Sequence, residues 1–200
     1  MKIYGDAQSG NCYKIQLLAH HLDIAHTWVP INILEGDTQT SEFLAMNPAG
    51  KIPLLELDDG RHLSESNAIL HYLANGSWLL PENTWLQAVI LSWQFFEQYS
   101  HEPNIAVARF INVYLGMPED RKADYQEKQT GGNNALAVME AHLNQQPFFA
   151  GNNMSIADIS LYAYTHVAHE GGFDLSNYSA IGQWLTRISE HPKHLPMQKS

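Results

Sequence analysis

Residues 47–72 read NPAGKIPLLELDDGRHLSESNAILHY, and turn formers alternate in them with short apolar segments. Asn, Pro, Gly and Asp mark tight turns, whereas a short apolar run bounded by them is typical of a buried strand. The pattern therefore predicts a turn at Asn47–Gly50, a strand at Lys51–Leu57, a hairpin turn at Asp58–Gly60 and a short return strand at Arg61–Leu63. A helix at Glu65–Ala74, capped by Ser64, follows.

Pro53 lies inside the first of these strands, where a proline cannot donate a ladder hydrogen bond. Two explanations remain open: an edge strand with a trans bond, or a cis Ile52–Pro53 bond. A cis bond would turn the Ile52 backbone outward and leave its N–H and C=O free for a ligand's peptide group. The next helix begins near Glu65 and Ser66, so free N–H groups for a carboxylate and a carboxylate for an amine lie close by. Together these features fit an extended small peptide.

The first 75 residues alternate strands and helices. We predict further strands at Lys2–Tyr4 and Thr27–Ile33, a helix at Cys12–Leu22 and a helical turn at Ser41–Met46. With the hairpin and the last helix, the order is βαβαββα. A strand–helix–strand opening implies a parallel pair, and the hairpin adds antiparallel strands. This is a thioredoxin-like order, predicted for a domain over residues 1–75.

The pattern changes after a linker at residues 76–83, which contains Gly76 and Pro81. We find no strand pattern beyond Thr84. We expect an all-helical domain over residues 84–200, with long helices at Thr84–Tyr114, Pro118–Asn144, Ser155–Ala168 and Tyr178–Glu190. Pro103 should interrupt the first of them, and Gly131-Gly132 should weaken the second.

Composition and charge narrow the classes of partner. The chain has 11 Lys and Arg against 21 Asp and Glu, for a formal net charge of −10. An acidic balance argues against nucleic acid and an anionic membrane, both of which need a basic face. The single cysteine, Cys12, rules out a disulfide framework. Among the 11 histidines, His166 and His169 have an i, i+3 spacing, but nothing nearby completes a metal site, so we interpret the histidines as exposed. We expect a cytoplasmic protein without a metal.

A second candidate site lies between the first strand and first helix, in Ser9-Gly10-Asn11-Cys12. A helix start with hydroxyl and amide donors can stabilise a thiolate. Ser9 and Asn11 are the candidate donors, although both residue types cap helices far more often than they catalyse. Cys12 is a rival nucleophile or a packing residue.

These segments resemble the cytosolic-type glutathione S-transferases, as found in bacteria. The resemblance rests on NPAGKIPLLEL and LSESNAILHYLA, on SGNCYK and on the later SIADISLY, and it covers nearly the whole chain. It implies a glutathione-dependent enzyme of the serine-type or disulfide-reductase-like branch. Ser9 lies five residues before the basic Lys14, as the hydroxyl does in serine-type members, and Asn11 resembles an asparagine of disulfide-reducing relatives.

The resemblance also implies roles in glutathione binding. The Ile52 backbone, preceding Pro53, would pair with the cysteinyl part, and Glu65 with Ser66 would hold the γ-glutamyl amine and carboxylate. Lys51 could meet the glycyl carboxylate. Thr38 and Gln39 are neutral where other classes have a basic pair, a departure that affects the glycyl end.

In the helical domain, Tyr99, His101 and Arg109 are candidates for a second-substrate pocket. Ser155 and Asp158 match a capping box that starts a buried helix, and we interpret them as structural.

The function implied is conjugation of glutathione to a small electrophile by a homodimer. The alternatives are glutathione-dependent reduction of disulfides or peroxides, and a non-enzymatic protein-interaction module on the same fold.

Overall fold

The structure, a computed structural model, describes residues 1–198, which form two compact units. The first unit comprises Met1–Leu80 together with residues 192–198, and the second comprises Pro81–His191. None of the helices in the described part of the chain is long and apolar enough to cross a membrane.

The first unit has the predicted βαβαββα order. Its elements are β1 (Lys2–Gly5), α1 (Gly10–His21), β2 (Thr27–Pro30), α2 (Ser41–Met46), β3 (Leu54–Glu56), β4 (His62–Leu63) and α3 (Ser66–Ala74). The sheet order is β2-β1-β3-β4; β1 pairs in parallel with β2 and antiparallel with β3, and β3 pairs antiparallel with β4. The thioredoxin-like prediction is confirmed.

The core of the first unit lies between the central strands and α1 and α3, which pack together. Each element contributes aliphatic side chains that are fully buried: Ile3, Leu54, Leu55, Ile15, Leu17, Leu18, Ile69 and Leu70. Burying one such side chain contributes about 1.5–3 kcal/mol, so this apolar layer fixes where the starts of α1 and α3 lie.

The structure contradicts two predictions about residues 51–66. The bond between Ile52 and Pro53 is cis, and β3 is an interior strand that begins only at Leu54, so the edge-strand explanation is wrong. Helix α3 begins at Ser66 with Glu65 in the cap position, so the prediction that Ser64 caps it is also wrong.

The second unit is helical, as predicted. Its helices are α4 (Thr84–Phe96), α5 (Glu102–Arg109), α6 (Lys122–Leu143), α7 (Ile156–Thr165) and α8 (Ser179–Ser189). Between residues 81 and 191 the only β pairing is an isolated bridge from Phe148 to Gly151. The expected interruption near Pro103 takes the form of a π-helical turn at Glu97–His101, after which Pro103 lies in the first turn of α5. A proline is tolerated there because the first N–H groups of a helix have no partner within it.

The capping box at the start of α7 is confirmed. The Asp158 carboxylate accepts hydrogen bonds from Ser155 N (2.8 Å), Ser155 Oγ (3.0 Å), Phe149 N (3.1 Å) and Trp184 Nε1 (3.0 Å). Asp158 therefore joins the preceding loop, α7 and α8 from a fully buried position.

Residues 192–198 group with the first unit, whereas the sequence prediction placed all of residues 84–200 in the helical domain. Tyr13 Oη donates to Leu195 O at 2.5 Å, and Lys193 forms an ion pair with Asp23. These contacts hold the tail against α1.

Two histidines contradict the expectation of exposure. His21 is buried against Trp78, with ring centroids 5.9 Å apart, and His101 is fully buried.

The glycine pair in α6 does not break the helix, which continues through Gly131 and Gly132. A Cβ on Gly132 would lie 2.3 Å from the buried Phe173 ring, so the glycine permits a close contact. We expect Gly132→Ala to lower the free energy of unfolding by about 1–3 kcal/mol, because the ring has to move. Denaturant unfolding measures the change.

Gly182 in α8 is the matched control, since nothing lies within 4 Å of a Cβ placed there. Gly182→Ala should raise the free energy of unfolding by about 0.5–1 kcal/mol through helix propensity alone. Stabilisation by both substitutions would mean that Phe173 does not pack against α6 in this way.

Candidate functional site

Ser9 lies where β1 leads into α1. It caps the helix, and its Oγ accepts a hydrogen bond from Cys12 N at 3.4 Å. The preceding turn is held by Asp6, whose backbone C=O accepts from Ser9 N at 3.1 Å and whose Oδ1 accepts from Gln8 N at 2.8 Å. Ser9 remains half-buried, so a capping hydroxyl stands at the start of α1 on a fixed turn.

Cys12 points into the core. Burial raises the pKa of its thiol to about 12, which outweighs the lowering effect of the nearby Ser9 hydroxyl. A thiol with that pKa stays protonated at neutral pH, and the thiolate is the reactive form. Cys12 is thus a packing residue.

Asn11, Lys14 and Ser66 form a polar cluster that joins the starts of α1 and α3. Lys14 Nζ lies 3.2 Å from Ser66 Oγ, which in turn lies 3.2 Å from Asn11 Oδ1. Lys14 is fully buried and Ser66 nearly so. In the sequence, Lys14 stood out only for its spacing from Ser9. Its position three residues after Asn11, on the same helix face, was the available indication of this cluster.

The Ser66 side chain therefore faces inward, where its hydroxyl contacts Lys14 and Asn11. Its backbone N–H remains at the start of α3, where the first N–H groups of a helix have no partner within the helix.

Glu65 has an unusual backbone conformation, with φ of 69° and ψ of 112°. A non-glycine residue held there costs about 1–3 kcal/mol, and such residues concentrate at functional sites. Its side chain is exposed, and its carboxylate has no hydrogen bond or ion pair to any of residues 1–198. The first unit thus presents an unpaired carboxylate beside the N–H groups of a helix start.

The segment before β3 offers an unpaired backbone. Within residues 1–198, the N–H and C=O of Ile52 make no hydrogen bond. The segment is positioned from one side by Asn47, whose Nδ2 donates to Lys51 O at 2.8 Å. Lys51 is exposed, and Gln39 Nε2 lies 3.5 Å from Gly50 O, so these two polar side chains flank the segment. Thr38, the residue before Gln39, is buried.

The second-substrate candidates do not form a common wall. Tyr99 is 83% exposed, whereas His101 and Arg109 are buried. His101 Nε2 pairs with Thr165 Oγ1 at 2.9 Å, and Arg109 Nε pairs with Glu170 Oε2 at 2.6 Å. His101 and Arg109 therefore hold helices together, a correction to their predicted role.

A metal ion finds no obvious site in the described part of the chain, where no three His, Cys, Asp or Glu side chains cluster suitably. The arrangement at the starts of α1 and α3 instead offers donors for anions, a carboxylate for an amine and an open backbone for a peptide group. This set is complementary to a short peptide with a free α-amine and α-carboxylate.

Family models match both units of the chain. The model for the glutathione S-transferase N-terminal domain matches residues 8–75, and that for the C-terminal domain matches residues 99–192.

Individual proteins agree with these matches. A crystal structure of a glutathione S-transferase from Pseudomonas fluorescens is 56% identical, with a TM-score of 0.97, and covers 99% of this chain and 98% of that one. The Escherichia coli disulfide-bond oxidoreductase YfcG is 28% identical over 93% of this chain and 89% of its own length. The Phanerochaete chrysosporium transferase URE2P6, solved with oxidised glutathione, is 22% identical with a TM-score of 0.86, covers 96% and 91% of the two chains, and shares the fold.

Proposed function

Because the chain belongs to the glutathione S-transferase family, we propose that its first unit binds glutathione and ionises the thiol for attack on a small electrophile. The observation that carries this proposal is the pairing of two helix starts by the Asn11–Ser66–Lys14 cluster, beside the unpaired Glu65 carboxylate. The start of α1 then contacts the glutathione sulfur, and the start of α3 binds the γ-glutamyl end.

The γ-glutamyl group of glutathione carries an amine and a carboxylate. The exposed Glu65 carboxylate is the partner for the amine, and the N–H of Ser66 at the start of α3 is the partner for the carboxylate. Both contacts are charge-assisted, and such hydrogen bonds are the strong ones in proteins.

The cysteinyl part would extend along Ile52, whose N–H and C=O can pair with the ligand's peptide group as a short strand addition. The adjoining Pro53 supports this segment from a buried position. Lys51 and Gln39 lie on the side where the glycyl carboxylate would end, and Lys51 supplies the positive charge.

This placement directs the sulfur toward the start of α1. Ser9 Oγ and the Asn11 amide are the donors there, and the helix dipole favours negative charge at that end. A free thiol has a pKa of about 8.5, so donors aimed at the sulfur raise the thiolate fraction at neutral pH. The thiolate then attacks the electrophilic carbon, a C–S bond forms, and the leaving group departs with the bonding electrons.

Reduction of disulfides is a second candidate function, favoured by Asn11 two residues after Ser9 and by the similarity to an oxidoreductase. The same thiolate would attack a disulfide sulfur, form a mixed disulfide and release the other sulfur as a thiolate. A second glutathione would then resolve the mixed disulfide.

Calorimetric titration separates these accounts. Binding of reduced glutathione alone supports conjugation, whereas tight binding of the disulfide or of two glutathione molecules supports reduction. No binding of either form would contradict the proposed function and leave a protein-interaction module as the account of the fold.

Glu65→Gln tests the γ-glutamyl contact without changing side-chain shape. We expect its dissociation constant for glutathione to rise about tenfold, because a charge-assisted bond to the amine is lost. Glu42→Gln, an exposed carboxylate in α2, is the control and should bind as the wild type does. An unaltered titration for Glu65→Gln would remove Glu65 from the binding site.

We also propose that the protein works in the cytoplasm as a homodimer. Helix α4 and the turn after it expose a row of side chains at heptad-like spacing: Trp85, Ala88, Ser92, Phe95 and Tyr99. Three of these exposed side chains, Trp85, Phe95 and Tyr99, are large and aromatic, and exposed apolar surface of this kind marks interaction sites. Light scattering would then give twice the 22.6 kDa mass of one chain.

A further inference from the structure

Lys14 is a buried member of the cluster that joins the two helix starts, but the proposed chemistry gives its charge no role of its own. It lies in α1 one turn after Asn11 and is fully buried, which is rare for a lysine unless its amine is paired. Its Nζ contacts Ser66 Oγ at 3.2 Å, on a different helix and 52 residues away.

The direction of the hydrogen bonds in this cluster follows from the chemistry of lysine. An ammonium group has donors and no acceptor, so Ser66 Oγ accepts from Lys14. The hydroxyl proton of Ser66 is then directed to Asn11 Oδ1, 3.2 Å away. The amide oxygen of Asn11 therefore accepts from Ser66, and the Asn11 Nδ2 lies on the opposite branch of the planar amide.

We propose that Lys14 and Ser66 are positioning residues, which fix the Asn11 amide with Nδ2 as the donor to the glutathione sulfur and strengthen that donor. The inference rests on the proposed function and deepens it. Consecutive hydrogen bonds polarise one another, and the low dielectric around buried Lys14 and Ser66 increases the effect. The charge of Lys14 thereby favours the thiolate without touching it.

The test is the pKa of the bound glutathione thiol, read from the ultraviolet absorbance of the thiolate against pH. Lys14→Met and Ser66→Ala should each raise this pKa by about one unit, which lowers the thiolate fraction about tenfold at pH values below the pKa. Ser66→Ala keeps the backbone N–H of α3, so its dissociation constant for glutathione should change little. A merely structural role would not raise the thiol pKa while leaving the dissociation constant for glutathione unchanged.

Two substitutions serve as controls. Lys122→Met removes an exposed lysine that pairs with Glu119, and Ser189→Ala removes an exposed hydroxyl at the end of α8. Both should leave the thiol pKa unchanged. In an Asn11→Ala background, Lys14→Met should produce no further shift, because residues of one network are not additive.

The outcomes separate the inference from the proposed function. If glutathione binds and Ser66→Ala leaves the thiol pKa unchanged, the relay through Ser66 is overturned, even if Lys14→Met shifts it through space. If neither variant shifts the pKa, both positioning roles are wrong while the binding site stands. If the wild type does not bind glutathione, the proposed function fails and the inference falls with it. Should Lys14→Met fail to fold, Ser66→Ala decides the matter alone.

Discussion

Asp158→Ala is expected to lower the free energy of unfolding by about 3 kcal/mol or more, because it leaves three buried N–H donors without an acceptor. These donors are the backbone N–H groups of Ser155 and Phe149 and the indole N–H of Trp184. Each unsatisfied buried donor costs roughly 1–3 kcal/mol, whereas the Ser155 hydroxyl can rotate toward another partner. Denaturant unfolding followed by circular dichroism measures the loss.

Asp174 provides a control with similar bonds but different burial. Its carboxylate accepts from Ser176 N and Ser176 Oγ, both at 2.9 Å, in an exposed turn. Water can replace those bonds, so Asp174→Ala should change the free energy of unfolding by about 0.5 kcal/mol at most. Equal effects of the two substitutions would show that burial is not what makes Asp158 important.

The pH dependence gives a further check on Asp158. Burial raises the pKa of its carboxyl from 3.8 to about 6, against the lowering effect of four donors. A group whose pKa rises on folding holds its proton in the folded state where the unfolded chain has lost it, so its stabilising contribution falls as pH rises through 6. The free-energy gap between wild type and Asp158→Asn should therefore shrink from pH 5 to pH 7. A gap that widens would mean that the donors keep the carboxylate ionised.

Local patterns account for what the sequence could predict. The hairpin after Lys51, the helix that follows it and the capping box of Ser155 and Asp158 each depend on residues close together in the chain. The βαβαββα order of the first unit and the helices of the second unit were likewise predicted from local patterns along the chain. Each of these features is specified by turn formers, apolar periodicity or capping within a few residues.

Contacts over long sequence separations account for what could not be predicted. His101 and Arg109 look like pocket residues in the sequence, yet their partners Thr165 and Glu170 lie 64 and 61 residues away. A polar residue with a distant partner can be buried, and no local pattern distinguishes it from an exposed one.

In the candidate site, too, the features set by local patterns could be predicted, and those set by distant contacts could not. Glu65 and Ile52 could be identified because turn and proline patterns surround them. The inward turn of Ser66 and its contact with Lys14 could not, because 52 residues separate the two. The backbone strain at Glu65 likewise depends on the surrounding structure.

Ser9→Ala is expected to reduce turnover about ten- to a thousandfold, because one preorganised donor to the thiolate is lost. Glutathione should still bind, since the γ-glutamyl and backbone contacts remain. The substitution also removes a helix cap, which costs about 1 kcal/mol of stability. Steady-state kinetics with an aryl halide, together with calorimetric titration of glutathione, separate a loss of turnover from a loss of binding.

Two further variants distinguish the thiolate role from capping. Ser9→Thr keeps a hydroxyl and the helix cap, so it should retain most of the turnover. Cys12→Ala should also retain the turnover, because the Cys12 thiol is buried with a pKa of about 12. Unchanged turnover in Ser9→Ala would move the stabilising role to Asn11, the other donor at the start of α1. Equal losses of turnover in Ser9→Ala and Ser9→Thr would point to the geometry of the turn, because threonine keeps the hydroxyl of serine and alanine does not.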